Sequence, residues 1–268
     1  MKQRGRWGIF NGISVELRLG LKPAERCIMD KYNLDRRGFL QGLAGAAVML
    51  TGLSDASAEH PPAGAARAGQ KKTAIPDIRK YRGLIGALKG FSATIIREHL
   101  ALLERYRHEL SEVESQDRTI DLALADPLAS KWRNHTLTWI ELHNAVRLHE
   151  LYFDTLTPKS LKPGQKIGKI LEESYGSFDQ WWVKFRATAM AVRAWGVLGW
   201  DNQSRRPVIS GLDNDSEWPL GVEPLLVVDM AEHAYVLDFI GQPLAYLDAW
   251  LARVNWVVVD SRLARVSE

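Results

Sequence analysis

The 268-residue chain is 46% hydrophobic and holds ten tryptophans, enough for a core in one large domain or two small ones. Its net charge of +3 is unevenly placed: residues 1–58 carry nine Lys/Arg against five Asp/Glu, leaving 26 against 27 for residues 59–268, so the remainder is −1 and gives no support for nucleic-acid binding. The only cysteine, Cys27, lies in that first stretch, which excludes a disulfide framework or a thiolate metal site downstream.

Residues 1–58 read as a leader. Arg36-Arg37 precede Phe39-Leu40, a Gly/Ala-rich apolar run to Leu53, and Ala56-Ser57-Ala58. A charged region, an apolar run and an A-x-A end make a signal peptide, with cleavage expected after Ala58. The run is too short for a membrane span of about 20 residues. The arginine pair resembles the twin-arginine export signal, which carries folded proteins and implies a periplasmic or secreted product. Met29 is the expected start, with residues 1–28 an upstream extension. Residues 59–81 are rich in Ala, Gly, Pro and Lys and read as a flexible lead-in.

After Gly90-Phe91, Ser92 is a helix cap for a segment from Ala93 to Val113. Ile95, Ile96, His99, Leu102, Leu103, Tyr106 and Leu110 recur at intervals of three and four, so His99 and Tyr106 share the apolar face. A break at Asp126-Pro127 leads to a second helix, Ala129 to Leu156, with His135, His143 and His149. His135 and His149 can share a face, and only one can lie level with His99 in an antiparallel pair. These two helices form an expected hairpin domain, 82–158, and the Pro/Gly/Lys loop after Thr157 opens a second domain, 159–268. There, helices are expected over Ile167–Tyr175 and from the Ser177 cap to Ala191, then a hairpin of Trp195–Trp200 and Pro207–Leu212. Leu225–Val228 is a third strand, and helical pieces near Pro243–Val254 and Asp260–Val266 close the chain. The order predicts an α+β fold: an N-terminal antiparallel helical hairpin, then a small three-stranded antiparallel sheet with flanking helices. No internal repeat, phosphate-cradling Gly loop or G-x-S-x-G elbow is present.

The third strand runs into Val228-Asp229-Met230-Ala231-Glu232-His233-Ala234-Tyr235. If the chain turns into a helix there, Asp229 and His233 converge on one point, as two ligands of one metal would. A capped helix with a core histidine is the alternative.

That stretch, with Tyr246 to Trp256, resembles the C-terminal half of iron/manganese superoxide dismutases. Gly176-Ser177-Phe178, Ala194-Trp195-Gly196-Val197-Leu198, Arg97-Glu98-His99 with Tyr106, and the block Asn144 to Phe153 fit in order and spacing, so the match covers roughly residues 82–265. The resemblance implies one Fe or Mn ion per subunit, held by His99, His149, Asp229 and His233. His149 is preferred to His135, which lies too far from the inter-domain loop. His99 is preferred to Glu98, which a strict count back from Tyr106 selects.

The resemblance further implies superoxide as substrate, disproportionated to dioxygen and hydrogen peroxide, with Tyr106 relaying protons and Trp195 walling the pocket. Glu232 is the expected contact of a homodimer and Arg262 a candidate steering charge. The family's glutamine or histidine beside the metal has no clear match; Asn214 is the nearest candidate, with Asp213 and Asp215 as alternatives. Ala231, Leu103 and Val236 stand where the family commonly has tryptophan, histidine and tyrosine. Two other readings stay open: an exported protein of this fold without turnover, and a zinc hydrolase using the same four ligands.

Overall fold

The computed structural model describes residues 78–267. The expected leader, its expected cleavage site and the lead-in up to residue 77 lie outside the described residues. Those described belong to one compact unit, Lys71–Glu268. The fold is α+β, as the order of elements predicts. Among the described residues, no helix is long and apolar enough to cross a membrane.

A 3-10 turn, Ile78–Leu84, leads to helix α1, Ala93–Gln116. Ser92 caps α1 by accepting the Ile95 N–H at 3.1 Å, satisfying a donor that the first turn leaves orphaned. The buried face of α1 follows the three-and-four rhythm through Ile95, Ile96, His99, Leu102 and Leu103. Helix α2, Lys131–Asp154, starts later than the sequence suggests. Asp126 Oδ1 takes the N–H groups of Leu128 and Ala129, holding them in a turn, and Ser130 becomes the cap. Burial on α2 begins only at Leu142, so its first turns leave Leu137, Trp139 and Ile140 exposed. His149 lies in the buried half.

Helix α3, Gln165–Tyr175, stops at Gly176, whose φ of 91° suits a residue without Cβ. Ser177 then caps helix α4, Phe178–Met190. Strands β1 (Trp195–Asp201), β2 (Arg206–Leu212) and β3 (Val222–Asp229) form an antiparallel sheet in the order β2-β1-β3. The register makes Trp195 the cross-strand partner of Asp229. Helices α5, Pro243–Leu251, and α6, Trp256–Ser267, complete the chain.

One hydrophobic core joins the hairpin to the sheet half, with Ile95, Phe153, Trp181, Val227, Trp250 and Val259 all buried. Polar ties reinforce the junction. Thr157 N–H donates to Arg253 O at 2.9 Å, and Asn255 N–H to Thr155 O at 2.7 Å. Arg262, expected as a steering charge, is instead committed inward: its guanidinium donates to Leu225 O at 3.0 Å and Leu151 O at 3.2 Å, fastening α6 to β3 and α2.

The chain does not turn into an α-helix at Asp229–His233. Asp229 Oδ1 accepts the Ala231 N–H at 2.8 Å, bending the chain as a short polar side chain does at a turn. Only a 3-10 turn, Glu232–Ala234, follows.

Candidate metal centre

Four side chains from four elements meet where the hairpin faces the end of β3. His99 projects from the buried stripe of α1, His149 from the buried half of α2, Asp229 from the last residue of β3, and His233 from the turn beyond it. One donor atom from each lies within 4.8 Å of the others. Asp229 Oδ2 is the point of convergence, 2.9 Å from His233 Nε2, 3.1 Å from His99 Nε2 and 3.5 Å from His149 Nε2.

Two members are held by hydrogen bonds outside the cluster. His149 Nδ1 is 2.7 Å from Ala145 O one turn earlier on α2, which fixes the proton on Nδ1 and leaves a lone pair on Nε2. Asp229 gives Oδ1 to the Ala231 N–H, while its carbonyl takes the Tyr246 hydroxyl at 2.7 Å. Its second oxygen is thereby aimed at the imidazoles.

The electrostatics of the donor set suit a cation. Asp229 is fully buried, and burial alone pushes its carboxyl up. The charge and hydrogen bond of His233 outweigh that and hold it well below the usual carboxylate range. Burial dominates for His149, pushed down to about 3, and for His99, also lowered despite Asp229 beside it. Both stay neutral, the form a metal requires. His233 is half-buried, and there Asp229 overcomes desolvation and raises it.

His99 Nε2 and His149 Nε2 are buried with no hydrogen-bond partner. Buried polar atoms without partners are rare and costly, and two imidazole nitrogens converging on one carboxylate oxygen are an arrangement that a cation between them would satisfy. Three imidazole nitrogens and one carboxylate oxygen, without sulfur, fit a divalent or trivalent first-row metal.

The surroundings sort the remaining candidates. Trp195 is buried and its indole meets the His149 ring edge-on at 5.0 Å, while the Tyr106 ring lies 5.3 Å from His149. Burial first, then the carboxylates of Asp215 and Asp229, push the Tyr106 hydroxyl up to about 12. Glu98 is exposed, about 100° around α1 from the buried His99. His135 packs on Trp132 and pairs with Asp117 at 3.7 Å, far along the hairpin, and His143 stacks on Trp139. Glu232 is exposed.

Asn214 turns away from the centre. Its Oδ1 accepts the Ser216 N–H and its Nδ2 donates to Glu217, a local turn that uses both ends of the amide. Asp213 likewise faces outward, paired with Arg193 at 2.8 Å. The next residue, Asp215, points in. Its Oδ1 accepts the Trp195 indole N–H at 2.8 Å, and its backbone carbonyl takes Asn144 Nδ2 at 2.7 Å.

The family model of iron/manganese superoxide dismutases, C-terminal domain, matches residues 163–262. The chain is 35% identical over 160 residues to the iron superoxide dismutase of Aquifex pyrophilus, covering 59% of this chain and 75% of the relative. It is 34% identical over the same extent to the corresponding Aquifex aeolicus protein. Against the manganese superoxide dismutase of Mycobacterium kansasii it is 33% identical over 112 residues, 40% of this chain and 69% of the relative. With a four-donor centre built from both halves and relatives that align across most of their own length, the chain belongs to the iron/manganese superoxide dismutase family, a family of metal-dependent oxidoreductases.

Proposed function

We propose that this chain is a superoxide dismutase holding one iron or manganese ion through His99 Nε2, His149 Nε2, Asp229 Oδ2 and His233 Nε2. The observation that carries the reading is the pair of orphaned imidazole nitrogens, His99 Nε2 and His149 Nε2, converging on a buried carboxylate. Family membership supports the chemistry. The bound ion supplies one-electron exchange, so that two superoxide ions and two protons leave as one dioxygen and one hydrogen peroxide.

The chain's own residues supply the rest. Once His233 loses its proton on ligating, three neutral imidazoles and one carboxylate would leave a bound cation with net positive charge, which attracts a small anion. Trp195 walls the His149 side and keeps water from that face. The Tyr106 hydroxyl, protonated through the neutral range and kept so further into alkaline pH by its burial, holds a proton beside the centre and is re-protonated from bulk water. Glu232, exposed in one chain, would bond a ligand histidine of a second copy. The exposed Val236, Leu237, Ile240 and Leu244 that follow it support a homodimer through that segment. The leader would deliver the folded protein outside the cytoplasm.

The test pairs metal analysis with superoxide consumption on wild type and Asp229→Ala. Wild type carrying iron or manganese, with the variant losing both metal and activity, is the expected result. Wild type loaded with metal yet no faster than the variant would refute it, and zinc in place of iron or manganese would point to a hydrolase.

A further inference from the structure

Helices α3 and α4 and strand β2 enclose a cavity of about 550 Å³, within the size range of small-molecule sites. It shares no residue with the metal centre. Among the described residues β2 pairs only with β1, so it is an edge of the sheet, where Pro207 is tolerated because no ladder donor is needed. The Tyr175 hydroxyl, at the end of α3, donates to Pro207 O at 3.2 Å and braces the helix against that edge. Two cations line the cavity from opposite sides, Lys184 on α4 and Arg206 at the start of β2. Lys184 Nζ lies 5.5 Å from the centre of the Tyr175 ring, and Arg206 is the charge that acts on the Tyr175 hydroxyl. Arg186 and Arg193 find carboxylates, Asp248 and Asp213, whereas Lys184 and Arg206 have no carboxylate partner among the described residues. Arg206 Nε donates to Ser204 Oγ at 3.2 Å, which leaves the terminal nitrogens of its guanidinium uncommitted.

We propose that this cavity is a binding site for a small phosphate monoester with an apolar or planar body, its phosphate held between Lys184 and Arg206. Two unpaired cations on one cavity match a doubly charged group better than a single carboxylate. The guanidinium fork suits phosphate oxygens, and the flexible ammonium adds a point charge beside it. Ser174 and Thr188 add hydroxyls to the lining, while Ala187 and Ile209 give an apolar surface for the rest of the ligand. A charge on an edge strand also discourages edge-to-edge pairing. That role accounts for Arg206 alone, and it requires neither Lys184 on the facing helix nor a cavity between them. Arg206 pairs with Asp201, at the end of the sheet opposite to Trp195 and Asp229, so the site is separate from the centre and does not depend on the metal reading.

The experiment titrates the full protein with phenyl phosphate, inorganic phosphate and benzoate, followed by calorimetry. The variants are Lys184→Gln, Arg206→Gln, the two combined, and Lys89→Gln, which removes one exposed charge elsewhere. Thermal melting and metal content, expected to be unchanged, show that each variant is folded and its centre intact. Phenyl phosphate is expected to saturate wild type. Benzoate, with one charge, and inorganic phosphate, without a ring, should each bind at least about fivefold more weakly. Each single variant should weaken phenyl phosphate about tenfold and the double variant should abolish saturation, while Lys89→Gln binds as wild type does. Wild type that shows no saturable binding of phenyl phosphate overturns the proposal. So does binding that survives in the double variant, which would place the anion elsewhere on the molecule. Benzoate as tight as phenyl phosphate overturns the choice of a doubly charged group, and inorganic phosphate as tight overturns the apolar body.

Discussion

At the scale of single residues, Tyr106 is the group whose environment departs most usefully from water. Its raised ionisation has burial as the main cause, with Asp215 and Asp229 adding to it. The native state therefore holds the phenolic proton between the ordinary value of 10.0 and about 12, whereas the unfolded chain releases it. This contribution to stability is complete below pH 10 and lost as pH rises through 12. A difference titration at 295 nm between wild type and Tyr106→Phe should show a phenolate appearing near pH 12, and the variant should lose less stability between pH 10 and 12. A phenolate appearing near pH 10 would remove Tyr106 from the interior of the site. The convergence of His99, His149, Asp229 and His233 was readable because helical rhythm and motif blocks constrain helices and strand ends. Asp215 was not singled out from its neighbours. In the β2–β3 loop no periodicity decides which of three consecutive polar side chains faces inward, and the choice rests on how Asn214 uses its amide locally.

At the scale of elements, the sheet depends on close approach. A Cβ at Gly196 on β1 would lie 2.9 Å from Ala189 Cβ on α4 and 2.9 Å from Val228 Cγ1 on β3. Neither neighbour is the end of a flexible chain, so the layers must separate. Gly196→Ala is expected to cost about 1–3 kcal/mol in equilibrium denaturation, the usual penalty for overpacking a filled core. Because Gly196 follows Trp195, the variant should also weaken metal retention. Unchanged stability would mean that α4 sits more loosely on the sheet than these distances imply. The strands were legible as short apolar runs between turn residues, but their order was not. Nothing local states that β1 is central, and that order places Trp195 opposite Asp229. The turn after Asp229 was similarly open: i, i+4 spacing is compatible with a helix, whereas the chain bends there with the Asp229 side chain accepting the Ala231 N–H.

At the scale of the whole molecule, the surface around Glu232 belongs to the proposed homodimer. Glu232→Ala should shift sedimentation from dimer toward monomer, weakening association at least tenfold, while the isolated subunit keeps its helical content. A variant that sediments like wild type would leave Glu232 as a surface carboxylate only. The broad α+β plan was legible from the order of helices and strands, because layer architecture follows from which faces must be buried. The intimacy of the two halves was less so: the loop after Thr157 reads as a boundary, yet the core runs through it without interruption.

The four donors are spread along the chain, with His99 and His233 separated by 134 positions. An ion seated between them would close a loop of about half the polypeptide. The entropy of closing such a loop grows only with the logarithm of its length, so the clip restrains a large stretch of chain at modest extra cost. The arrangement also sets an order of events during synthesis. A growing chain has no centre until the turn beyond β3 has emerged, by which time both helices and the sheet are available to pack. Uptake of the proposed ion would thus be a late step in maturation, after long-range pairing, and the proposed export of finished protein would carry the ion along with its cargo.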